Sequence, residues 1–337
     1  MKLDPSLPHR RNPLGLSVWV WIVSSLMALI AEPSMVAGAD SPTSHLAARQ
    51  LIGRSITLFA AGDAFNAKVR QRVWVGGREV VGVGTYEQAG ASTGQFNLQI
   101  TMHDGDGKHS LQQVSDGRLA WTRQDIGGRV SLRRVDVGRL DQWVRGGVAS
   151  NSQLPPSSRI GAWTELLESI ATDYRLQVAP GTLQERSVWI IRGALSTEVR
   201  TSRLEELGSD ELPELMPVQV ILAIARENDP ETGFGKGLPI RIEFRAAPAV
   251  VASNQGGASN HGDSVEADSV SSQSNMKLGQ LISLMEMYAV RPILPPPIAR
   301  FRFDHQDAEV NFVNETDRYL DRYQIRLTER ETRVLRR

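Results

Sequence analysis

The strongest constraint in this chain is the period of its hydrophobic pattern. Over residues 67–135 apolar side chains recur at every second position, and short Gly- and Asp-rich breaks punctuate the run. Residues 95–102 (QFNLQITM) give the cleanest case: Phe96, Leu98, Ile100 and Met102 take one face, and Gln95, Asn97, Gln99 and Thr101 the other. Side chains of a strand alternate between faces, so this pattern gives one buried and one solvated surface, as an antiparallel sheet has. The same reading makes strands of 67–75, 79–88 (loosened by Gly82 and Gly84), 109–115, 119–124 and 129–135. Turns fall at Gly76-Gly77, Asp104-Gly105-Asp106-Gly107, Asp116-Gly117 and Gly127-Gly128, and Asp-Gly is a strong hairpin signal. About six strands joined by tight turns imply a strongly curved, antiparallel sheet.

Helical spacing flanks this meander. Residues 46–59 bring Ala48, Leu51, Ile52, Ser55, Leu58 and Phe59 near one face, with Gly53 as a weak point. After a linker at 146–159, Trp163, Leu166, Leu167 and Ile170 stand at i, i+3, i+4 and i+7, the spacing of a short amphipathic helix. Strand character returns at 173–179, 186–193, 218–226 and 238–246, and structure resumes at 280–290. A Pro-rich turn at 294–297 leads into 298–303, read as a last strand, and 317–323 reads as a short helix. Residues 252–275 are rich in Ser, Asn and Gly, with two Val as their only large aliphatic side chains. Such a segment cannot bury enough apolar surface to offset its ordering entropy, so a disordered insertion is expected there.

The N-terminus carries an address. Lys2, Arg10 and Arg11 precede an apolar run of 18 residues, Leu14 to Ala31, and Ala37 and Ala39 stand at the −3 and −1 positions of a cleavage site. This reads as a secretory signal cleaved after Ala39. The run is also just long enough for a membrane-spanning helix, so residues 14–31 offer membrane association as the alternative. The expected organisation is a signal or anchor at 1–39, a β-sheet domain from 40–251, the insertion at 252–275, completion of the same domain by 276–325, and a charged tail at 326–337. The expected location is the periplasm or cell envelope.

Composition excludes more than it identifies. With 38 basic and 38 acidic residues, the chain lacks the basic excess of a nucleic-acid binder. With no cysteine, it forms no disulfide, thiol nucleophile, zinc–cysteine site or iron–sulfur cluster, and no lipid attaches through an N-terminal cysteine.

Motifs for chemistry are weak. His103, Asp104, Asp106 and His109 cluster within seven residues, but a calcium loop starting at Asp104 would need an acidic residue where Ser115 stands, so a solvated hairpin turn is expected. Gly233-Phe234-Gly235-Lys236-Gly237 lacks the Ser or Thr that a phosphate loop places after its Lys, and reads as a flexible loop. No G-x-S-x-G elbow is present, and nothing pairs His45, His103, His109 or His305 with a nucleophile. Glu165 and Glu168 are expected on a solvated helix face. No catalytic residue, metal site or cofactor is expected. Trp74, Trp121, Trp143, Trp163 and Trp189 lie in regular elements and suit core packing. Alternatively, Phe96, Leu98, Ile100, Met102 and Trp121 line the concave side of the sheet as an apolar ligand pocket.

The succession of elements resembles the LolA/LolB-like bacterial envelope proteins, the superfamily of the outer-membrane lipoprotein carrier. The resemblance is carried by Arg72-Val73-Trp74-Val75, Gly84-Thr85-Tyr86-Glu87-Gln88, the strand Phe96 to Met102, and Val114-Ser115-Asp116-Gly117 with Trp121. Later pieces are Trp163-Thr164-Glu165-Leu166-Leu167, Val188-Trp189, Leu238-Pro239-Ile240 and Phe301-Arg302-Phe303. It implies an α+β, mainly antiparallel fold: a half-open curved β-barrel wrapped around a few helices, with an apolar cavity for acyl chains. The function implied is non-enzymatic binding of a lipid, an acyl chain or a lipoprotein segment. The alternatives are an envelope sensor or scaffold that binds another protein and, last, a hydrolase.

Overall fold

The computed structural model describes residues 42–75, 77–105, 107–146, 154–248, 278–304 and 311–327. The signal or anchor expected at 1–39, the insertion expected at 252–275 and the tail from 328 onward lie outside the described residues.

Among the described residues twelve strands form one sheet. The expected meander is its first half: β1 (Phe65–Val75), β2 (Arg78–Gln88), β3 (Gln95–His103), β4 (Lys108–Asp116), β5 (Ala120–Ile126) and β6 (Arg129–Val135) lie side by side in chain order, antiparallel throughout. A second meander contains β7 (Tyr174–Leu183), β8 (Arg186–Leu195), β9 (Gln219–Ala225), β10 (Pro239–Arg245) and β11 (Leu281–Pro292). The halves join where β11 pairs with β1, so the strand that follows the 252–275 segment lies mid-sheet, between β1 and β10. A short β12 (Phe312–Asn314) pairs parallel with β6 and forms one edge, while β7 forms the other. The result is the expected class: α+β, mainly antiparallel, curved and unclosed.

Curvature has a local cause. On the inner face Gly82 stands opposite Met102, and Gly84 opposite Ile100. A Cβ on Gly82 would strike the Met102 side chain, and one on Gly84 would strike the Gln99 carbonyl. The two glycines therefore let β3 roll tightly over β2.

Two helices fill the hollow. Helix α1 (Pro42–Ala61) turns Ala48, Ile52, Ile56 and Phe59 onto the sheet, all buried. A second helix, α2 (Val137–Gly146), follows β6 and packs Leu140. Helix α3 (Ala162–Asp173) buries Trp163, Leu167 and Ile170. Burying a large apolar side chain contributes about 1.5–3 kcal/mol, so these seven positions on α1 and α3 tie the helices firmly to the sheet. Helix α1 also guards the β7 edge: the Leu176 amide donates to His45 Nδ1 at 3.0 Å, and the Val178 amide to Ser44 Oγ at 3.1 Å. Capping free strand amides blunts an edge against adding further strands.

One expectation is corrected and two helices are added. Residues 298–303 are not a strand; Ile298–Phe301 form one 3-10 turn that starts from extended Pro297 and buries Phe301 completely. Helix α2 was given no assignment of its own, although Trp143 within it was expected in a regular element. Helix α4 (Thr197–Leu207) was also passed over, although Ser196 caps it by accepting from the Val199 amide and Gly208 ends it in a left-handed conformation. The last helix, α5 (Arg318–Arg322), lies where expected.

Candidate functional site

Strand register decides which side chains face the helices. On β1, Gln71 points inward, flanked by Gly82 of β2 and Met285 of β11. Leu98 of β3 stands between Tyr86 and Gln113, and Phe244 of β10 beside Ser283. Between these strands and α3 a cavity of about 130 Å³ remains. Leu98, Leu111, Trp163, Leu166, Phe244 and Met285 supply much of its apolar wall. Polar groups interrupt it at Gln71, Gln113, Glu165, Ser169, Asp173, Arg203 and Arg318.

Electrostatics at the rim is largely settled within the protein. Burial raises the Asp173 carboxyl above its ordinary value, against the Thr172 hydroxyl that hydrogen-bonds it and the attraction of Arg203 and Arg322. Arg203 donates to Glu206 at 2.8 Å. The phenols of Tyr86 and Tyr174 are pushed far above their usual range by burial, so they act as neutral donors, to Gln88 and to the Pro217 carbonyl.

The chain is similar to several solved structures. A LolA superfamily protein from Nitrosomonas europaea is 12% identical over 77% of this chain and 98% of that one, with a TM-score of 0.27. LprF from Mycobacterium bovis is 10% identical over 77% of this chain and 99% of its own, with a TM-score of 0.32. The Pseudomonas aeruginosa MucA/MucB complex gives 12% identity, 79% of this chain, 63% of that one and a TM-score of 0.34, so the match spans less than two thirds of that chain. No protein-family profile and no curated protein matches the sequence. At these identities the likenesses assign no role to any residue here.

Of the residues expected in a pocket, four share the inner face. Phe96, Leu98, Ile100 and Met102 are 7%, 3%, 1% and 1% exposed, so they are core. Of these four, the cavity wall includes Leu98 alone. Phe96 packs against Tyr86 and beneath Gly161 instead, and Met102 fills the space over Gly82. Trp121 is a correction. It pairs with Val114 in register, which puts it on the outer face, where its ring stacks on Phe303 at 5.0 Å and meets Phe312 edge-on at 5.4 Å. Chain after β11 crosses that face and covers it. The cavity residues that sequence reasoning missed, among them Gln71, Trp163, Phe244 and Met285, come from distant strands and a helix. Gln71, Phe244 and Met285 share only the inward parity of their strands, and Trp163 belongs to the apolar stripe of α3.

Glu165 and Glu168 are not a solvated face. Glu165 accepts from Tyr319 Oη at 2.9 Å and Arg322 Nη1 at 3.1 Å, while Glu168 pairs with Arg159 and Arg322. Burial works against the Arg322 charge, yet Tyr323 and the two carboxylates hold it protonated above even the usual arginine range. The pair is a clamp for α5. The Asp104–His109 turn is structural too: His109 Nδ1 accepts from the Gly127 amide at 3.0 Å, and its Nε2 lies 2.7 Å from Asp104 Oδ2. The Gly233–Gly237 loop, expected to be flexible, is pinned to the core. Phe234 lies 5.7 Å from Phe65, and the Ser55 hydroxyl donates to the Gly237 carbonyl. Among the described residues no helix is long and apolar enough to cross a membrane.

Proposed function

We propose that this chain is a non-enzymatic cell-envelope protein that holds a hydrophobic ligand (a lipid, an acyl chain or a lipoprotein segment) in the hollow of its sheet. The observation that supports this reading is the cavity of about 130 Å³ left between α3 and the inner face, with walls that are mostly apolar. A dry engineered cavity of about 150 Å³ already takes up benzene, so this one accommodates a short apolar segment without rearrangement. Each buried CH₂ contributes about 0.8 kcal/mol, so chain length supplies affinity without a recognition motif. Export through residues 1–39 belongs to the same proposal, as does a single domain built from 40–251 and 276–325.

The test is uptake of N-phenyl-1-naphthylamine, a neutral dye that brightens in apolar surroundings. The protein should take it up, and Leu166→Trp, which fills the cavity wall, should weaken uptake several-fold. Undiminished uptake in that variant would place the ligand elsewhere.

A second reading, an envelope sensor or scaffold that binds another protein, has its own support. Val81 and Val83 of β2 lie on the outer face, 47% and 58% exposed. Adjacent apolar side chains left in solvent are a common mark of a contact surface.

A further inference from the structure

A second groove runs along α1 where that helix meets β8 and β9. Its volume is about 750 Å³, within the range of small-molecule clefts. It shares no residue with the cavity under α3. Leu58 of α1, Trp189 of β8 and Ile224 of β9 give it an apolar wall, and Leu58 is 36% exposed. Arg54, Arg226 and Lys236 stand in the same wall, and no carboxylate does. The fold gathers these three cations around Gly237. The Gly237 amide donates to the Ala225 carbonyl at 2.8 Å, and the Ser55 hydroxyl donates to the Gly237 carbonyl. Each cation is the chain neighbour of one residue at that junction.

Among the described residues none of the three cations has a carboxylate partner. Arginines on the neighbouring strands do: Arg186 lies 3.1 Å from Asp229, and Arg241 2.8 Å from Glu243. Arg226 stacks 4.6 Å over the Trp189 ring, which holds the guanidinium plane in place and leaves its edge for an oxyanion. The Gly233–Gly237 loop contributes charge through the Lys236 side chain, since its Gly233, Lys236 and Gly237 amides already donate to Asp229, Asn228 and Ala225. Unbalanced positive charge beside apolar surface fits an apolar chain that ends in an anion. We propose that this groove binds a single amphiphile whose head is a phosphate ester. A phosphate carries more charge than a carboxylate, and its three free oxygens can serve two guanidinium groups and an ammonium together. Burial of the chain against Leu58, Trp189 and Ile224 supplies the rest of the affinity.

The experiment is calorimetric titration of the full chain with octyl phosphate below its micellar concentration. Octanol, inorganic phosphate and hexaglutamate are titrated in parallel. Octyl phosphate should bind one to one, about tenfold or more tighter than any of the three. The double variant Arg54→Gln/Lys236→Gln alters two exposed side chains and should weaken octyl phosphate by about tenfold. Arg129→Gln, at the exposed start of β6 and outside the groove, removes a charge elsewhere and should leave the affinity unchanged. Several results would overturn the proposal. Octanol binding as tightly means that the cations read nothing. Inorganic phosphate binding as tightly means a bare anion site, and tighter binding of hexaglutamate means a surface for acidic polypeptide. No binding of octyl phosphate, an unchanged affinity in the double variant, or an equal loss in Arg129→Gln overturns it as well. None of these outcomes bears on the cavity under α3, which dye uptake tests separately.

Discussion

Gly84 has room for a hydrogen and nothing larger, because the Gln99 carbonyl occupies the space where its Cβ would go. Gly53, on the exposed side of α1, has nothing within 4 Å of the same position. Gly84→Ala should therefore lower stability by roughly 1–3 kcal/mol through overpacking. Gly53→Ala should raise it by about 0.4–1 kcal/mol through the unfolded chain and helix propensity. Urea denaturation of the two variants checks both signs. In the sequence these glycines look alike, since each weakens a regular pattern; the partner across the sheet separates them, and it lies 15 positions away for Gly84. Asp173 gives a pH test. Burial raises its folded-state value above the unfolded one, so the folded chain binds the proton more tightly and the charged form destabilises. That penalty is present above the raised folded value and fades as pH falls toward the unfolded value of 3.8. Asp173→Asn should melt at a higher temperature than the parent at pH 7, and the gap should shrink near pH 4.

At the scale of elements, strands were legible and the covering segments were not. Period-2 alternation placed β1 to β6 within a residue or two at most ends, because one buried face imposes it. The 298–303 segment misled for the same reason: Ile298, Phe301 and Phe303 are apolar, but Ile298 stays exposed, Phe301 is buried by a 3-10 turn, and Phe303 stacks on Trp121 of the outer face. Alternation tells that a residue is covered and not by which side. Glu165 and Glu168 failed differently, since their partner Arg322 is more than 150 residues away. Removing that partner should leave buried carboxylates uncompensated, which costs about 3–5 kcal/mol. Arg322→Met is therefore expected to lose most of the anchoring of α5. Hydrogen exchange should report faster exchange at Tyr323 and Ile325, whose amides bond back to Tyr319 and Leu320, with little change in β1.

For the whole molecule, two meanders joined by the β1–β11 pair make one open sheet, and two helices fill it incompletely. The open, helix-filled architecture follows from the strand pattern and the resemblance together. The site follows from neither, because the wall draws on β1, β3, β4, β10, β11 and α3, and no spacing rule links them. The equal count of acids and bases suits a guest held by apolar contact. Native mass spectrometry of the protein purified from its own cells without detergent tests the central claim most directly. The account predicts adducts of lipid mass that organic extraction removes, and a marked loss of those adducts in Leu166→Trp. A single apo mass, together with no uptake of N-phenyl-1-naphthylamine by the same preparation, would contradict it.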